Sequence, residues 1–228
     1  MRNVLLRIFL VKWFTPLYLA LIWTSFLPCK AIAQAVKSEQ SAGTLLFFGD
    51  SITAGYGIAP EQAFPALIQK RISTMGWRMN VVNAGLSGET SAGGLRRIDW
   101  ILRQKVSVFI LGLGANDAMR GIDLAITRKN LEKILDRVRQ SYPEAKLVVL
   151  GMQAPPNLGQ TYTRGFRDMF PGLARQYKAA LVPFLLQGVG GIPELNLADG
   201  IHPTVKGHAI IAESVWEILK PVLKQIKH

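Results

Sequence analysis

Thr44-Leu45-Leu46-Phe47-Phe48-Gly49 is an unbroken apolar run, and Asp50-Ser51 follows it at once. A short run without polar alternation, ended by glycine, reads as a strand covered on both faces, the kind that parallel sheets use. Four further runs have this character: Met79–Asn83, Val106–Leu113, Lys146–Met152 and Leu181–Leu185. Amphipathic stretches separate them, over Gln62–Thr74, Ala92–Gln104, Arg128–Tyr142 and Arg164–Lys178, and a last helix is expected from about Thr204 to Lys224. Strands alternating with helices imply right-handed crossovers. The expected fold class is therefore α/β, a three-layer α/β/α sandwich around a five-stranded parallel sheet. No internal repeat or interdomain linker interrupts this alternation.

The chain has 228 residues, 49% of them apolar and 18% charged, enough for one domain with a sizeable core. The first 33 residues stand apart. They hold Arg2, Arg7, Lys12 and Lys30 but no acid, and an apolar stretch from Trp13 to Pro28, broken by Pro16. Ala31-Ile32-Ala33 and Ala33-Gln34-Ala35 both suit cleavage between small residues. Residues 1–33 thus read as a signal peptide, residues 34–43 as a flexible lead-in and residues 44–228 as the folded domain. The rival reading is an uncleaved anchor, but the apolar stretch is shorter than the ~20 residues a spanning helix needs. Cleavage predicts an exported protein, periplasmic or secreted, with no stable membrane insertion. Pro28 is a poor neighbour for lipidation of Cys29. That cysteine is the only one, so the mature domain needs no disulfide and has neither a thiol nucleophile nor a cysteine metal site. The net charge of +12 could suit an anionic partner, but no basic cluster is interleaved with aromatics. A basic surface without a nucleic-acid partner is the expectation.

In parallel sheets, ligands sit beyond the carboxyl ends of the strands. Ser51 follows the first expected strand, Gly85-Leu86-Ser87-Gly88 the second and Gly114-Ala115-Asn116-Asp117 the third. Asp199 and His202 lie in the loop before the last helix. Four segments thus deliver polar groups to one edge. A hydroxyl, an imidazole and a carboxylate are the parts of a serine hydrolase. The three-residue spacing of Asp199 and His202 can bring the carboxylate to Nδ1 and leave Nε2 as a base. Only His208 and His228 compete, the first placed within the last helix and the second terminal. Gly88 can let substrate approach a backbone N–H, and Asn116 offers an amide donor, so that with the Ser51 N–H three donors can face an oxyanion. No Gly-x-Ser-x-Gly elbow is present, which argues against an α/β-hydrolase.

Read as blocks, these residues resemble a family. Gly49-Asp50-Ser51-Ile52-Thr53-Ala54-Gly55-Tyr56-Gly57 resembles the first block of the GDSL, or SGNH, hydrolases. Asn83-Ala84-Gly85-Leu86-Ser87-Gly88-Glu89-Thr90-Ser91 resembles the second, Gly112-Leu113-Gly114-Ala115-Asn116-Asp117 the third and Asp199-Gly200-Ile201-His202-Pro203 the fifth. Arg120-Gly121 and Ala154-Pro155-Pro156-Asn157 are similar to the secreted bacterial thioesterase/lysophospholipase/arylesterase subgroup. Ala115 departs from the pattern, since many relatives have glycine there. The resemblance implies a flavodoxin-like fold, Ser51 as nucleophile, His202 as base with Asp199 behind it, and Ser51, Gly88 and Asn116 as oxyanion donors. It implies no metal and no organic cofactor. The substrate expected is a small or medium acyl ester or thioester, contacted by Met119, Arg120 and Pro155. A carbohydrate O-deacetylase on the same fold and a non-catalytic binding protein using the same crevice are the alternatives.

Overall fold

The computed structural model describes residues 43–226. The expected signal peptide, Cys29, residues 34–42 of the expected lead-in and the terminal His228 lie outside the described residues. Five strands form one sheet: β1 (Gly43–Gly49), β2 (Met79–Asn83), β3 (Val108–Gly112), β4 (Lys146–Leu150) and β5 (Ala180–Val182). Their order is β2-β1-β3-β4-β5, and every pairing is parallel. Among the described residues the α-helices are α1 (Ser51–Ala54), α2 (Phe64–Thr74), α3 (Ser91–Ile101), α4 (Ala115–Met119), α5 (Leu124–Ser141), α6 (Gln160–Tyr177) and α7 (Val205–Leu223). Among the described residues no helix is long and apolar enough to cross a membrane.

The continuous apolar run of β1 follows from its place. It pairs with β2 on one side and β3 on the other. Helices α2 and α7 pack together over one face of the sheet, and α3, α5 and α6 over the other. Side chains alternate between these layers. The Phe47 ring meets Phe64 of α2 edge-on at 5.5 Å, whereas Phe48 meets Phe109 of β3 at 5.6 Å and lies beneath Arg97 of α3. Leu45 to Phe48 are all fully buried.

The expected elements are all present, with shifted ends. β1 starts at Gly43, one residue inside the expected lead-in. β5 stops at Val182 and not at Leu185, because Pro183 has no N–H to continue the ladder. Past it, Leu185 N–H bonds back to Gly151 O, and the chain turns away. α5 begins at Leu124, before the expected Arg128, because Asp123 caps it by accepting the Ala125 and Ile126 N–H groups. α6 begins at Gln160, a turn earlier than its apolar spacing suggested. The chain moves from β1 to β2 on one side and returns to β3 on the other. The strand order therefore reverses between β1 and β3, and a crevice opens at their carboxyl ends.

Gly85 fits this crevice closely. A Cβ there would lie 2.8 Å from both the Ala54 Cα and the Thr53 carbonyl carbon, so the backbone after β2 rests directly on α1. Neither partner is a flexible side-chain tip. Gly85→Ala is therefore expected to cost about 1–3 kcal/mol, the usual range for overpacking. Urea unfolding should show a lowered midpoint with an unchanged slope.

Candidate active site

α1 starts directly off β1, and this corner presents Ser51. Asp50 is its N-cap, accepting the Ile52 N–H at 3.1 Å through Oδ1. Ser51 is only 7% exposed. The loop before α7 brings in the other two expected residues. Asp199 Oδ1 accepts the N–H groups of Ile201 (2.9 Å) and His202 (3.0 Å), and Leu197 N–H bonds to His202 O. These bonds curl the loop so that its own carboxylate faces its own imidazole. Asp199 Oδ2 lies 2.7 Å from His202 Nδ1, and His202 Nε2 lies 2.9 Å from Ser51 Oγ. The Tyr56 ring packs on the imidazole, with centroids 4.5 Å apart.

The backbone N–H of His202 and then its ring hold the Asp199 carboxyl down at about 2. Asp199 is thus ionised across the neutral range. An ionised carboxylate can only accept, so Nδ1 carries the proton and Nε2 is left to accept from the Ser51 hydroxyl. The arrangement can move a proton off Ser51 Oγ. His208 has a different role. It is fully buried, its Nδ1 accepts the Phe64 N–H at 3.2 Å, and burial pushes its pKa down to about 4.

Of the expected donors, Asn116 lines the same cavity as Ser51. Asn116 lies in the first turn of α4, after β3, and its Nδ2 is buried with no hydrogen-bond partner among the described residues. Buried polar groups are nearly always paired, so this donor marks a place where an acceptor belongs. Gly88 has φ 77° in the turn closed by Glu89 N–H to Leu86 O, a conformation that favours glycine. A cavity of about 330 Å³ opens beside Ser51 and is lined by Asn116, Met119, Met152, Pro155 and Ile201 among others. Met119 and Pro155 thus lie where substrate contact is expected. Arg120 does not line this cavity. Its Nη2 donates to Gly88 O at 3.0 Å and so braces the turn.

Further residues, given no role in the sequence reading, hold these groups in place. Glu89 is buried and receives Arg97 Nε at 2.8 Å (Oε1) and 2.7 Å (Oε2). Arg97 Nη2 also reaches Ala84 O (2.8 Å) and Gly49 O (3.4 Å). One guanidinium thus ties the ends of β1 and β2 to the turn that carries Gly88. Asp117, fully buried, accepts the N–H (2.7 Å) and hydroxyl (2.5 Å) of Ser91, which joins α4 to the start of α3. Only the polarity of Glu89 and Asp117 beside glycine-rich loops hinted at this. Their partners depend on how the helices dock.

Residues 47–210 match the model of the GDSL-like Lipase/Acylhydrolase family. The chain is similar to Esterase TesA of Pseudomonas aeruginosa, at 42% identity over 84% of this chain and 96% of that protein. It is also similar to Thioesterase 1/protease 1/lysophospholipase L1 of Escherichia coli, at 34% identity over 80% of this chain and 86% of the relative. A crystal structure of TesA superimposes with a TM-score of 0.74 at 43% identity, covering 78% of this chain and 98% of that one.

Asp50, beside the nucleophile candidate, gives a pH signature. It is 2% exposed, and burial pushes its carboxyl up to about 7 from the ordinary 3.8. Between those values the folded chain keeps a proton that the unfolded chain releases. Its stabilising contribution is complete below about pH 4, is lost as pH rises toward 7, and stays lost above that. The slope cannot exceed about 1.4 kcal/mol per pH unit. Asp50→Asn keeps an oxygen for the Ile52 N–H and removes the titration. The wild-type minus variant difference in unfolding free energy should therefore fall between pH 4 and pH 7 and level off beyond. A difference independent of pH would contradict this.

Proposed function

Because the chain belongs to the GDSL-like lipase/acylhydrolase family and is a carboxylic ester hydrolase of esterase/thioesterase type, we propose that its chemistry runs through an acyl-enzyme on Ser51. Ser51 Oγ attacks the ester or thioester carbonyl while His202 Nε2 takes its proton. Asp199 holds the ring and stabilises the imidazolium that forms. The Ser51 and Gly88 N–H groups and Asn116 Nδ2 receive the oxyanion. His202 then protonates the leaving group, and water, activated by the same nitrogen, releases the acid. The hydrogen-bonded line from Ser51 Oγ through His202 to Asp199 carries this reading. The unpartnered Asn116 amide supports the oxyanion role.

The cavity favours acyl chains over a sugar. Met119, Met152 and Pro155 offer apolar contact, and methionine adapts to varied shapes. Small and medium acyl groups are the substrates that this reading assigns, in preference to an acetylated carbohydrate. Export rests on the first 33 residues alone. Mass spectrometry of the exported protein should find Gln34 or Val36 at its N-terminus, and Met1 to Lys12 retained on membranes would mean an anchor instead.

The deciding experiment uses p-nitrophenyl acetate, butyrate and octanoate. Ser51→Ala should abolish turnover of all three while keeping the wild-type melting profile. Asn116→Ala should lower kcat by roughly 10²–10³, with KM changed far less. A raised KM with kcat intact would make Asn116 a ground-state contact, and activity retained without Ser51 would end the proposal.

A further inference from the structure

A second cavity, about 650 Å³, adjoins the one beside Ser51. The two share Gln153, Ala154 and Pro156 in their walls, yet their chemistry differs. The far wall is a stripe of α6. Gln160, Thr163, Arg164 and Arg167 stand at helical spacings of i, i+3, i+4 and i+7, which sets all four on one face. That face is polar and carries two guanidiniums, and among the described residues no acidic one lines the cavity. Arg167 Nε donates to Asp168 Oδ1 at 3.0 Å, an exposed pair that offsets part of its charge. Among the described residues Arg164 has no such carboxylate partner. The stripe also lies at the start of an 18-residue helix whose N-cap, Gly159, brings no side chain to the first N–H groups. The positive end of the helix dipole therefore adds to the field only over the first turn, at Gln160 and Thr163.

We propose that this cavity is a subsite for an anionic group of the substrate. The inference rests on the Ser51 reading above. A substrate with its carbonyl at Ser51 runs an aliphatic segment past Met119, Met152 and Pro155, and its carboxylate or phosphate meets Arg164 and Arg167. The favoured class is an amphiphilic ester with a negative charge set apart from the ester by an apolar spacer. Guanidiniums suit both carboxylate and phosphate. The charge has two possible sources, the far end of the acyl chain or the leaving group. Arg120, which sequence suggested for substrate contact, is engaged with Gly88 O and leaves this role to α6.

Two series separate the sources. The first sets p-nitrophenyl half-esters of straight-chain dicarboxylic acids beside neutral p-nitrophenyl esters of the same length. The second sets butyrate esters of straight-chain ω-hydroxyalkyl phosphates beside butyrate esters of neutral alcohols of the same length. The readout is the anionic-to-neutral ratio of kcat/KM within each protein, so that any general loss cancels. At the best-fitting length the wild-type ratio should exceed that of Arg164→Ala/Arg167→Ala by roughly three- to ten-fold, as expected of two partly screened ion pairs. Arg164→Glu/Arg167→Glu should lower it further, and added salt should narrow the gap. A response in one series alone identifies which end carries the charge. Equal ratios in all three proteins in both series would overturn the subsite while leaving the Ser51 chemistry standing. Neutral-ester turnover that persists in Ser51→Ala would overturn both, because the subsite is defined as an extension of the cavity beside Ser51.

Discussion

β1 is hydrogen-bonded on both sides and covered on both faces, so it has no room for a polar side chain between Leu45 and Phe48. The first polar groups the chain can present are those just past Gly49, and they emerge at one edge of the sheet. β3 obeys the same constraint, with Val108 to Leu111 buried and Asn116 beyond them. These two strands are neighbours, but the chain leaves them toward opposite flanks. The crevice between their ends is thus a result of connectivity, and it separates the corner bearing Ser51 from that bearing Asn116. The loop with His202 arrives last and closes the set.

A crevice made of separate loops needs those loops to keep their spacing. Two buried carboxylates do this, each adjacent in sequence to an expected oxyanion donor. Glu89 follows Gly88 and is held by Arg97 of α3; Asp117 follows Asn116 and is held by Ser91 at the start of the same helix. α3 is therefore a common frame for both donors. Glu89 and Arg97 form a desolvated ion pair, and removing Arg97 would leave the Glu89 charge buried, which is far more costly than losing an exposed ion pair. The two ties specify position more than they add net stability.

The strand pattern was legible because burial on both faces leaves a mark on composition. Helix ends were less so. Gln160-Thr161-Tyr162-Thr163 carries no clear apolar period and follows Pro155, Pro156 and Gly159, so the first turn of α6 reads as loop although it is helical. Pro183 marked the end of β5, but the apolar Leu185 beyond it concealed the stop. Ser51, Asp199 and His202 were recognisable because neighbours in sequence set their environment: Asp50 caps α1 and a three-residue turn joins Asp199 to His202. Arg97, Glu89 and the reach of Arg120 to Gly88 were not, since each pairs across elements brought together by the sheet. Met119 and Arg120 are adjacent, yet one lines the cavity and the other does not. Only the direction of each side chain from α4 distinguishes them.

The buried Asn116 amide bears on how far this fold can be stabilised. Its Nδ2 has no hydrogen-bond partner among the described residues, and a buried donor left without an acceptor costs about 1–3 kcal/mol. An apolar residue of similar size would relieve that penalty. Selection for thermal tolerance alone would therefore favour exchanging this side chain, while under the oxyanion role proposed above selection for turnover would keep it. Under that role the stability of the protein stays below what its scaffold can reach, and directed evolution toward heat resistance should gain most from sites away from the crevice, where no such conflict exists.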